Sequence, residues 1–413
     1  MKKKWVLVAL IVLLCGSSYL VGFTLNRSDN DSSYEELDLF GETLSMIQKK
    51  YVEEKEFKDL IYGALSGMAS SLDSYSQFLK PEDYRELLVE TEGKFGGLGI
   101  EITMIDGLLT IVSPIEGTPA EKAGLKPGDV IIKIDGAVTK GITLNEAVKK
   151  LRGEPGEEVT VTVFRESDRR VENITIVRDI IKIKDIRESV LIAGGIGYIK
   201  LTEFREKTAR DLDTALKNLA DEKMKAIILD LRNNPGGLLL SAVDVASRFL
   251  GTGEVIVSTK SRKEEELVYK SVPYARKYLD VPMVVLINKG SASGSEIVAA
   301  ALKDNKRAVL VGEKSFGKAS VQSVVPLSDG SALRFTTAKY YTPSGESIHE
   351  KGVEPDIIVE SKIVEPSGQE QEDVFAKIKD KATEKEFDYT KDYQLVRAVD
   401  LIKGLLVLHP AIQ

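Results

Sequence analysis

Apolar residues recur at helical spacing over the first part of this chain, between residues 30 and 91. The repeat places an apolar residue at every third or fourth position, beginning with Leu37, Phe40, Leu44, Ile47 and Tyr51. Such spacing is typical of amphipathic helices, and the segment is therefore predicted to be an N-terminal helical region. We expect its apolar faces to pack helix on helix, and they also suit pairing between the subunits of a homodimer.

The period changes to two after residue 92, where short strands replace the helices. Ile100, Ile102 and Met104 alternate with polar neighbours, which predicts a half-buried strand. The glycine loop that leads into this strand consists of Gly97, Leu98, Gly99 and Ile100. Consecutive N–H groups of such a loop can converge on the terminal carboxylate of a peptide, which then pairs with the following strand. With a second long turn at 123–129, residues 92–178 resemble a PDZ domain.

Residues 182–360 alternate between apolar strands and amphipathic helices. The run Ala226–Leu231 is almost continuously apolar, as in a sheet that is covered on both faces. Strand–helix alternation of this kind predicts parallel strands joined by crossover helices. The C-terminal tail, residues 365–413, begins polar and ends with a predicted helix at 395–406.

The N-terminal residues 1–27 differ from everything that follows. Three lysines at positions 2–4 precede residues 5–26, which carry no charge. An apolar run of about 20 residues can cross a bilayer as a helix, and the lysines favour the cytoplasmic side. We therefore expect an uncleaved signal anchor and a single-pass protein of the cell membrane, whose other domains are extracytoplasmic. A cleaved signal peptide is the alternative.

Composition excludes several classes of function. The 413-residue chain has a formal net charge of −7 and lacks a dense basic block beyond its N-terminus, so nucleic acid is not an expected partner. The single cysteine, Cys15, rules out a disulfide framework and a cysteine-based metal site. Only two histidines are present, His349 and His409, which leaves too few for a histidine-rich zinc site. We expect chemistry that uses neither a metal nor another cofactor.

A serine-rich turn and a lysine motif carry the candidate chemistry. Small residues surround the serines of segment 288–296, where a helix is predicted to begin, and Lys318 and Gln322 follow on a glycine-flanked segment. Because histidine is scarce, a lysine is the natural base for a serine nucleophile. Ser293 and Lys318 also have structural interpretations, as a helix cap and as a solvated surface lysine. Ser293 and Glu296 fit the capping box of a helix, and most lysines are solvated.

Taken together, the motifs resemble those of the C-terminal processing, or tail-specific, serine endopeptidases. The matching segments lie in the family's order and spacing at residues 229–237, 291–296, 312–322, 340–345 and 352–356. The resemblance implies a mixed α+β multidomain fold, in which the helical region and the β-barrel-like PDZ domain join a protease core of the crotonase/Clp-protease α/β type. It also implies an endopeptidase that acts on proteins recognised through apolar C-terminal tails.

By this resemblance, Ser293 is the nucleophile, Lys318 is the general base and Gln322 orients the lysine. A lysine with its ordinary pKa of ~10.4 is protonated at neutral pH, and burial can lower that pKa. The neutral amide of Gln322 can accept from the lysine without favouring its charged form. Four residues span ~13 Å on a strand but adjoin on a helical turn, so we expect a turn between Lys318 and Gln322.

Backbone N–H groups are expected to form the oxyanion hole. We assign Gly294, directly after the nucleophile, and Gly237 or its neighbour Gly236 in the segment 232–237. A tight turn after a buried strand is the structural alternative for that segment. Gly294 stands where alanine is common in the family, and the glycine keeps the N–H group that the hole requires.

Two other functions compete with a protease. One is a non-catalytic PDZ adaptor with a degenerate enzyme domain, which the intact Ser293, Lys318 and Gln322 argue against. The other is a crotonase-like enzyme acting on thioesters, which the expected export and the PDZ domain disfavour.

A site open to unfolded chains is hazardous to neighbouring proteins, so we expect a gate. In this hypothesis a substrate tail docks at 97–100 and moves the PDZ domain off the active-site entrance. Arg152, just after the PDZ helix, is then expected to contact the protease domain in the active arrangement.

Overall fold

The computed structural model of the protein describes residues 31–166, 169–263, 265–274, 276–361 and 387–408. The predicted anchor at 1–27 and the polar start of the C-terminal tail lie outside these ranges. Within them, no helix is long and apolar enough to cross a bilayer. The chain forms two compact units, one ending at Lys80 and the other beginning at Pro81.

The first unit is mainly helical, as its periodicity predicts. Helices α1 (Asp31–Lys50) and α2 (Phe57–Ser70) precede the short strand β1 (Gln77–Leu79). The ring of Tyr62 on α2 packs against that of Phe78 on β1, with centroids 5.0 Å apart. Exposed apolar side chains of the predicted repeat include Leu37, Phe40, Ile47 and Tyr51. The predicted helix faces therefore keep much of their apolar surface exposed within this chain.

The second unit opens with helix α3 (Pro81–Glu92) and continues into the predicted PDZ segment. The elements of that segment are β2 (Lys94–Gly97), β3 (Ile100–Ile105), β4 (Leu108–Pro114), α4 (Pro119–Lys122), β5 (Val130–Ile134), β6 (Ala137–Val138), α5 (Leu144–Leu151), β7 (Glu158–Arg165), β8 (Arg170–Val177) and β9 (Asp179–Lys182). Strands β3, β4, β5, β7 and β8 pair antiparallel in that order, and β2 pairs with β9. Their core encloses Ile111, Val161 and Ala147 of α5, all fully buried.

Strands and helices alternate through the rest of the second unit. They are β10 (Ile186–Ile192), β11 (Ile196–Leu201), α6 (Thr208–Asp221), β12 (Ala226–Asp230), α7 (Leu239–Ser247), β13 (Val255–Ser261), β14 (Leu267–Lys270), β15 (Met283–Ile287), α8 (Gly294–Asp304), β16 (Val309–Gly312), β17 (Ser320–Pro326), β18 (Ala332–Tyr341), β19 (Ile357–Ile358), a 3₁₀ turn at Tyr389–Lys391 and α9 (Tyr393–Leu408). The central sheet has the order β10–β11–β12–β15–β16–β19. All its pairs are parallel except β10–β11, which confirms the predicted crossovers. Strands β17, β18, β13 and β14 form an antiparallel sheet beside it.

Helices cover both faces of the central sheet, as the apolar run in β12 predicts. Ile227 and Leu229 pack into a core with residues of α6, α7 and α8. Ala226 and Ile228, which point to the opposite face, pack with residues of the C-terminal helix α9. Full burial of an Ile or Leu side chain contributes roughly 1.5–3 kcal/mol, so both layers stabilise the sheet.

The carboxyl ends of β12 and β15 lie next to each other, with Asp230 paired to Leu286. Three segments leave this region of the molecule. We call residues 232–237 the oxyanion loop, residues 288–293 the nucleophile turn and residues 313–319 the base loop. In open sheets of parallel strands, binding and catalytic sites form at the carboxyl edge. The predicted site residues therefore lie where the topology favours a site.

Candidate active site

Ser293 ends the nucleophile turn and immediately precedes α8. Its backbone has φ +52° and ψ −111°, a conformation that residues with a side chain rarely adopt. Strain of this kind costs of order 1–3 kcal/mol and concentrates at functional sites, where surrounding contacts maintain it. Two hydrogen bonds support the turn here. The N–H of Ala292 donates to the carbonyl of Asn234 at 3.0 Å, and that of Ser293 donates to the carboxylate of Glu296 at 2.9 Å.

The oxyanion loop packs directly against this turn. Gly236 and Gly237 have φ values of +103° and +139°, which favour glycine. A Cβ atom on Gly236 would lie 2.7 Å from the amide nitrogen of Gly294 and from Cβ of Ser293. Only a glycine therefore allows the loop to approach the nucleophile turn so closely. The structure brings together all three predicted oxyanion residues.

Asn234 fixes the shape of the oxyanion loop from inside. Its fully buried side chain donates to the carbonyl of Leu201 at 3.0 Å and accepts from the N–H of Gly236 at 2.9 Å. Its carbonyl accepts from the hydroxyl of Ser295 at 2.9 Å. Because the Gly236 N–H is already bonded, Gly237 is the better of the two predicted donors.

Phe204 holds the other side of the oxyanion loop. Its N–H donates to the carbonyl of Gly236 at 2.8 Å, and its carbonyl accepts from the N–H of Leu238 at 2.7 Å. A Cβ atom on Gly294 would lie 3.0 Å from the Phe204 ring. The ring therefore leaves little space for a side chain at position 294.

Lys318 lies in the base loop and is half-buried. Its N–H donates to Oε2 of Glu296 at 2.9 Å, and its carbonyl accepts from the hydroxyl of Tyr340. The backbone of this residue is therefore held on both sides. A general base is expected to be at least partly buried, and Lys318 is. The structural alternative, a fully solvated surface lysine, would be exposed.

Gln322 lies on β17, and the turn predicted between it and Lys318 is wrong. Residues Ser320–Pro326 pair with β18, and the pairing register shifts between Val321 and Gln322. The strand forms because seven residues gain cross-strand partners, and the irregularity changes the direction of the side chains. Nε2 of Gln322 donates to the hydroxyl of Thr336 at 2.6 Å. Its Oε1 is buried and receives no hydrogen bond from the described residues, so an acceptor is available.

Sequence reasoning assigned no role to a buried ionic network below the oxyanion loop. Asp230, completely buried, accepts from Arg232 at 2.6 Å and from the Tyr198 hydroxyl at 2.9 Å. Arg232 also donates to Asp392 and Gln394 at the start of α9, each at 2.9 Å. The C-terminal tail is thus bonded to the first residue of the oxyanion loop. The sequence signal for this network was Asp230, a carboxylate at the end of an otherwise apolar strand.

The pKa values in this network shift in the directions that burial and pairing predict. Burial opposes ionisation of Asp230, but hydrogen bonds and the positive charges of Arg232 and Lys200 hold its pKa below the ordinary value. Burial lowers the pKa of Lys200, and the nearby Asp230 only partly offsets this. Burial and then Asp230 raise the pKa of Tyr198. The network is therefore built around an ionised aspartate.

The predicted peptide-binding loop forms one end of a separate cleft, the PDZ groove. This cavity of about 100 Å³ is lined by Phe95, Gly97, Leu98, Gly99, Ile100, Ile102, Val148, Leu151 and Arg152. Among the described strands, β3 pairs only with β4 and so forms an edge of its sheet. An open edge beside an apolar cavity suits a peptide that adds as a strand.

Arg152 lies at the rim of the PDZ groove. Its guanidinium donates to Glu86 of α3 at 3.2 Å and lies 4.5 Å from the centre of the Phe95 ring. These two contacts are with α3 and β2, and the contact with the protease domain that we expect in an active arrangement stays a prediction.

Family comparisons agree with this architecture. A model described as peptidase family S41 matches residues 195–359, and a PDZ domain model matches 110–165. A model described as the activating protease CtpB N-terminal domain matches residues 21–83. A carboxy-terminal-processing protease of Bartonella bacilliformis is 44% identical over 358 residues, which cover 86% of this chain and 82% of that protein.

The chain belongs to the carboxy-terminal processing serine proteases of peptidase family S41. Another relative, the carboxy-terminal processing protease CtpA of Bacillus subtilis, is 36% identical, with 85% of this chain and 74% of that protein covered. The crystal structure of a putative S41 protease from Bacteroides fragilis is similar in fold, with a TM-score of 0.52 and 17% identity. The alignment covers 86% of this chain and 92% of that one. The protein is therefore a serine-type peptidase with a PDZ domain and an N-terminal helical region, as the resemblance implied.

Proposed function

We propose that this S41 protease cleaves proteins with a Ser/Lys dyad formed by Ser293 and Lys318. The observation that carries the proposal is the strained backbone of Ser293, held at a helix N-terminus with the glycines of the oxyanion loop packed against it. Helix N-termini favour negative charge, so the surroundings of Ser293 suit a reaction that generates an oxyanion.

In the first half of the reaction, Oγ of Ser293 attacks the scissile carbonyl carbon while Nζ of Lys318 takes the hydroxyl proton. The N–H groups of Gly294 and Gly237 donate to the oxyanion that forms. When the carbon–nitrogen bond breaks, the lysine ammonium gives its proton to the departing amine. Gln322 orients the lysine through its buried Oε1, which is free to accept.

In the second half, a water molecule attacks the acyl ester on Ser293 and loses a proton to Lys318. Breakage of the ester returns this proton to Oγ and releases the new carboxyl terminus. Lysine must be neutral at the start of each half, so activity is expected to rise with pH. Added chelators are expected to leave the activity unchanged.

The substrate class follows from the PDZ groove. An extended C-terminal tail adds to the edge strand β3, its carboxylate meets the N–H groups of Gly97–Ile100, and an apolar terminal side chain enters the cavity. The carbonyls of Leu98 and Gly99 accept from Ala120 and Ile115 at 2.9 and 2.8 Å, which holds the loop in place before the peptide arrives.

The same docking event regulates the enzyme in our proposal. Arg152 lines the groove and is paired with Glu86, so movement of the PDZ domain on tail docking separates Arg152 from Glu86. Arg152 is then released to contact the protease domain as the PDZ domain moves. A peptide shifts this equilibrium only through its higher affinity for the active state.

We also propose that residues 1–27 anchor the enzyme with its catalytic domain outside the cytoplasm. The support is the uncharged run after three lysines. A reporter fused after residue 30 should be active only outside the cytoplasm, and cytoplasmic activity would refute the topology. A mature N-terminus beyond residue 15 would instead indicate cleavage.

A homodimer is proposed for the intact protein. Exposed apolar residues on α1 and α2 support it, since such surfaces are usually buried by a partner. Light scattering of the purified protein should give twice the mass of the chain, and a monomer at micromolar concentration would reject the proposal.

A serine-directed fluorophosphonate probe tests the catalytic proposal. We expect the wild-type protein to be labelled on Ser293, as mapped by peptide mass spectrometry, and to degrade an unfolded protein substrate. A protein that degrades substrate with the label on another serine would overturn the assignment. A folded protein that binds tail peptides but is neither labelled nor active would be an adaptor.

A further inference from the structure

Glu296 is a completely buried carboxylate beside the catalytic residues. Four donors surround its two oxygen atoms. Oε2 accepts from the N–H groups of Ser293 and Lys318, each at 2.9 Å. Oε1 accepts from the N–H of Gly317 at 2.7 Å and from the hydroxyl of Ser315 at 2.5 Å. A buried carboxylate is costly unless its oxygens are satisfied, and here both are.

A single oxygen atom thus joins the backbone of the predicted nucleophile to that of the predicted base. The two residues lie 25 positions apart in the chain, with α8 and β16 between them. Oε2 accepts from both amide nitrogens, and so holds the strained turn of Ser293 and the irregular base loop at a set separation.

A helix cap is the structural alternative for Glu296, and it accounts for only one of the four bonds. The bond from Ser293 is one half of the predicted capping box. The other three come from Ser315, Gly317 and Lys318, all in the base loop, which a cap does not require. These three bonds hold the base loop, which carries Lys318, against Glu296.

We propose that Glu296 is the positioning residue of the dyad, an inference that rests on the proposed roles of Ser293 and Lys318. Its carboxylate does not touch the substrate. It sets the distance and direction from which the amine of Lys318 reaches Oγ of Ser293, and it maintains the unusual conformation of Ser293.

The substitution Glu296→Gln separates positioning from packing. Glutamine has the same shape, but its NH₂ group is a donor and replaces one of the two accepting oxygens. Two of the four N–H or O–H donors around residue 296 would then face another donor and lose their hydrogen bonds. A misplacement of about 1 Å can cost 10²-fold in rate, and we expect kcat to fall by about 100-fold. The KM and the affinity for a tail peptide should change less than about threefold, since the PDZ groove is untouched.

Ser315→Ala is the matched variant, because it leaves the bonds from Ser293 and Lys318 to Glu296 in place. It removes the donor to Oε1 of Glu296 and also the acceptor of the Val353 N–H at 2.6 Å. Its kcat should fall only about fivefold, since both lost bonds lie away from the bridge between Ser293 and Lys318. The pH–rate profile is the readout that a purely structural role would not move. In Glu296→Gln the limb attributed to Lys318 should shift, because the surroundings of its amine change with the position of the loop.

The full-length protein in detergent is assayed with an unfolded protein substrate, together with thermal unfolding. A kcat for Glu296→Gln within threefold of wild type would overturn the proposal. So would a loss of activity that only follows a loss of folded protein, with an unshifted pH profile. If Glu296→Gln does not fold, Ser315→Ala provides the test. A kcat and a pH–rate profile equal to those of the wild type in Ser315→Ala would also overturn the proposal. Activity retained in Lys318→Ala would instead refute the dyad itself.

Discussion

The candidate active site and the PDZ groove differ in how far their polar groups are already hydrogen-bonded. Around Ser293, the turn, the oxyanion loop and the base loop are held by buried hydrogen bonds to Asn234, Glu296 and Phe204. The PDZ groove offers an open strand edge, a small apolar cavity and a half-exposed arginine. Electrostatic catalysis requires groups that are in place before reaction, whereas recognition by strand addition requires backbone groups that are not yet paired.

The largest expected effect falls on the candidate active site and leaves the PDZ groove unchanged. Ser293→Ala and Lys318→Ala should each lower kcat by about 10⁴-fold or more, as loss of a nucleophile or its base does in other serine hydrolases. Tail-peptide binding and thermal stability should remain. Lys314→Ala is the control, since Lys314 lies in the same loop but is exposed and paired with Glu354. Substantial proteolysis by purified Lys318→Ala would refute the assignment.

Gly237→Ala tests how closely the oxyanion loop must pack. The new Cβ would lie 2.1 Å from the carbonyl oxygen of Phe204, so the loop must move away from the nucleophile. We expect kcat to fall 10²–10³-fold, the effect of losing one oxyanion donor. Gly253→Ala is the control, because Gly253 also has positive φ but no atom within 4 Å of the added Cβ. Equal effects of the two substitutions would indicate backbone strain alone.

Asp230→Asn tests the network below the oxyanion loop. It leaves Arg232 and Lys200 without their buried counter-charge, so the free energy of unfolding should fall by about 3–5 kcal/mol. The lowered pKa of Asp230 gives the sign of a pH effect. Its stabilisation is present above the unfolded value near ~3.9 and is lost as pH falls through the folded pKa. Urea unfolding at pH 3 and pH 7 checks this. A difference between wild type and Asp230→Asn that does not shrink at pH 3 would contradict it.

A smaller effect is expected on the recognition side. Ile102→Lys places a charge on the wall of the PDZ groove and should weaken tail-peptide binding by roughly tenfold, since burying an unpaired charge is unfavourable. Cleavage of a short peptide without a tail should keep its kcat. Thr103→Lys, at the next position of β3, points to the opposite face and serves as the control. Equal losses in both variants would argue against the groove as the peptide site.

Arg152→Ala should have the smallest effect, a few-fold decrease in activation by tail peptides. The exposed pair with Glu86 contributes only ~0–1 kcal/mol, so overall stability should hardly change. Turnover of a second substrate with and without tail peptide measures the effect. Tail peptides that only compete, together with wild-type behaviour of Arg152→Ala, would show that the PDZ domain tethers substrate without gating.

Most of the helices and strands, and the family, could be predicted from the sequence alone. Apolar periodicity marked the helical region, the PDZ strands and the sheet covered on both faces, because each pattern depends on neighbours within a few residues. Long motifs around Ser293, Lys318 and Gly237 placed the chain among the C-terminal processing proteases. Local capping chemistry also singled out Glu296, although only as part of a helix terminus.

Contacts between residues that are distant in the sequence could not be predicted in this way. The three bonds from the base loop to Glu296 and the pairing of Arg232 with Asp392 join residues from 19 to 160 positions apart. Gln322 lies on a strand and not in a turn because β18 supplies partners that local sequence does not reveal. Periodicity encodes which face of an element is buried, but only the folded chain decides which donor meets which acceptor, since buried polar groups must find partners wherever the fold places them.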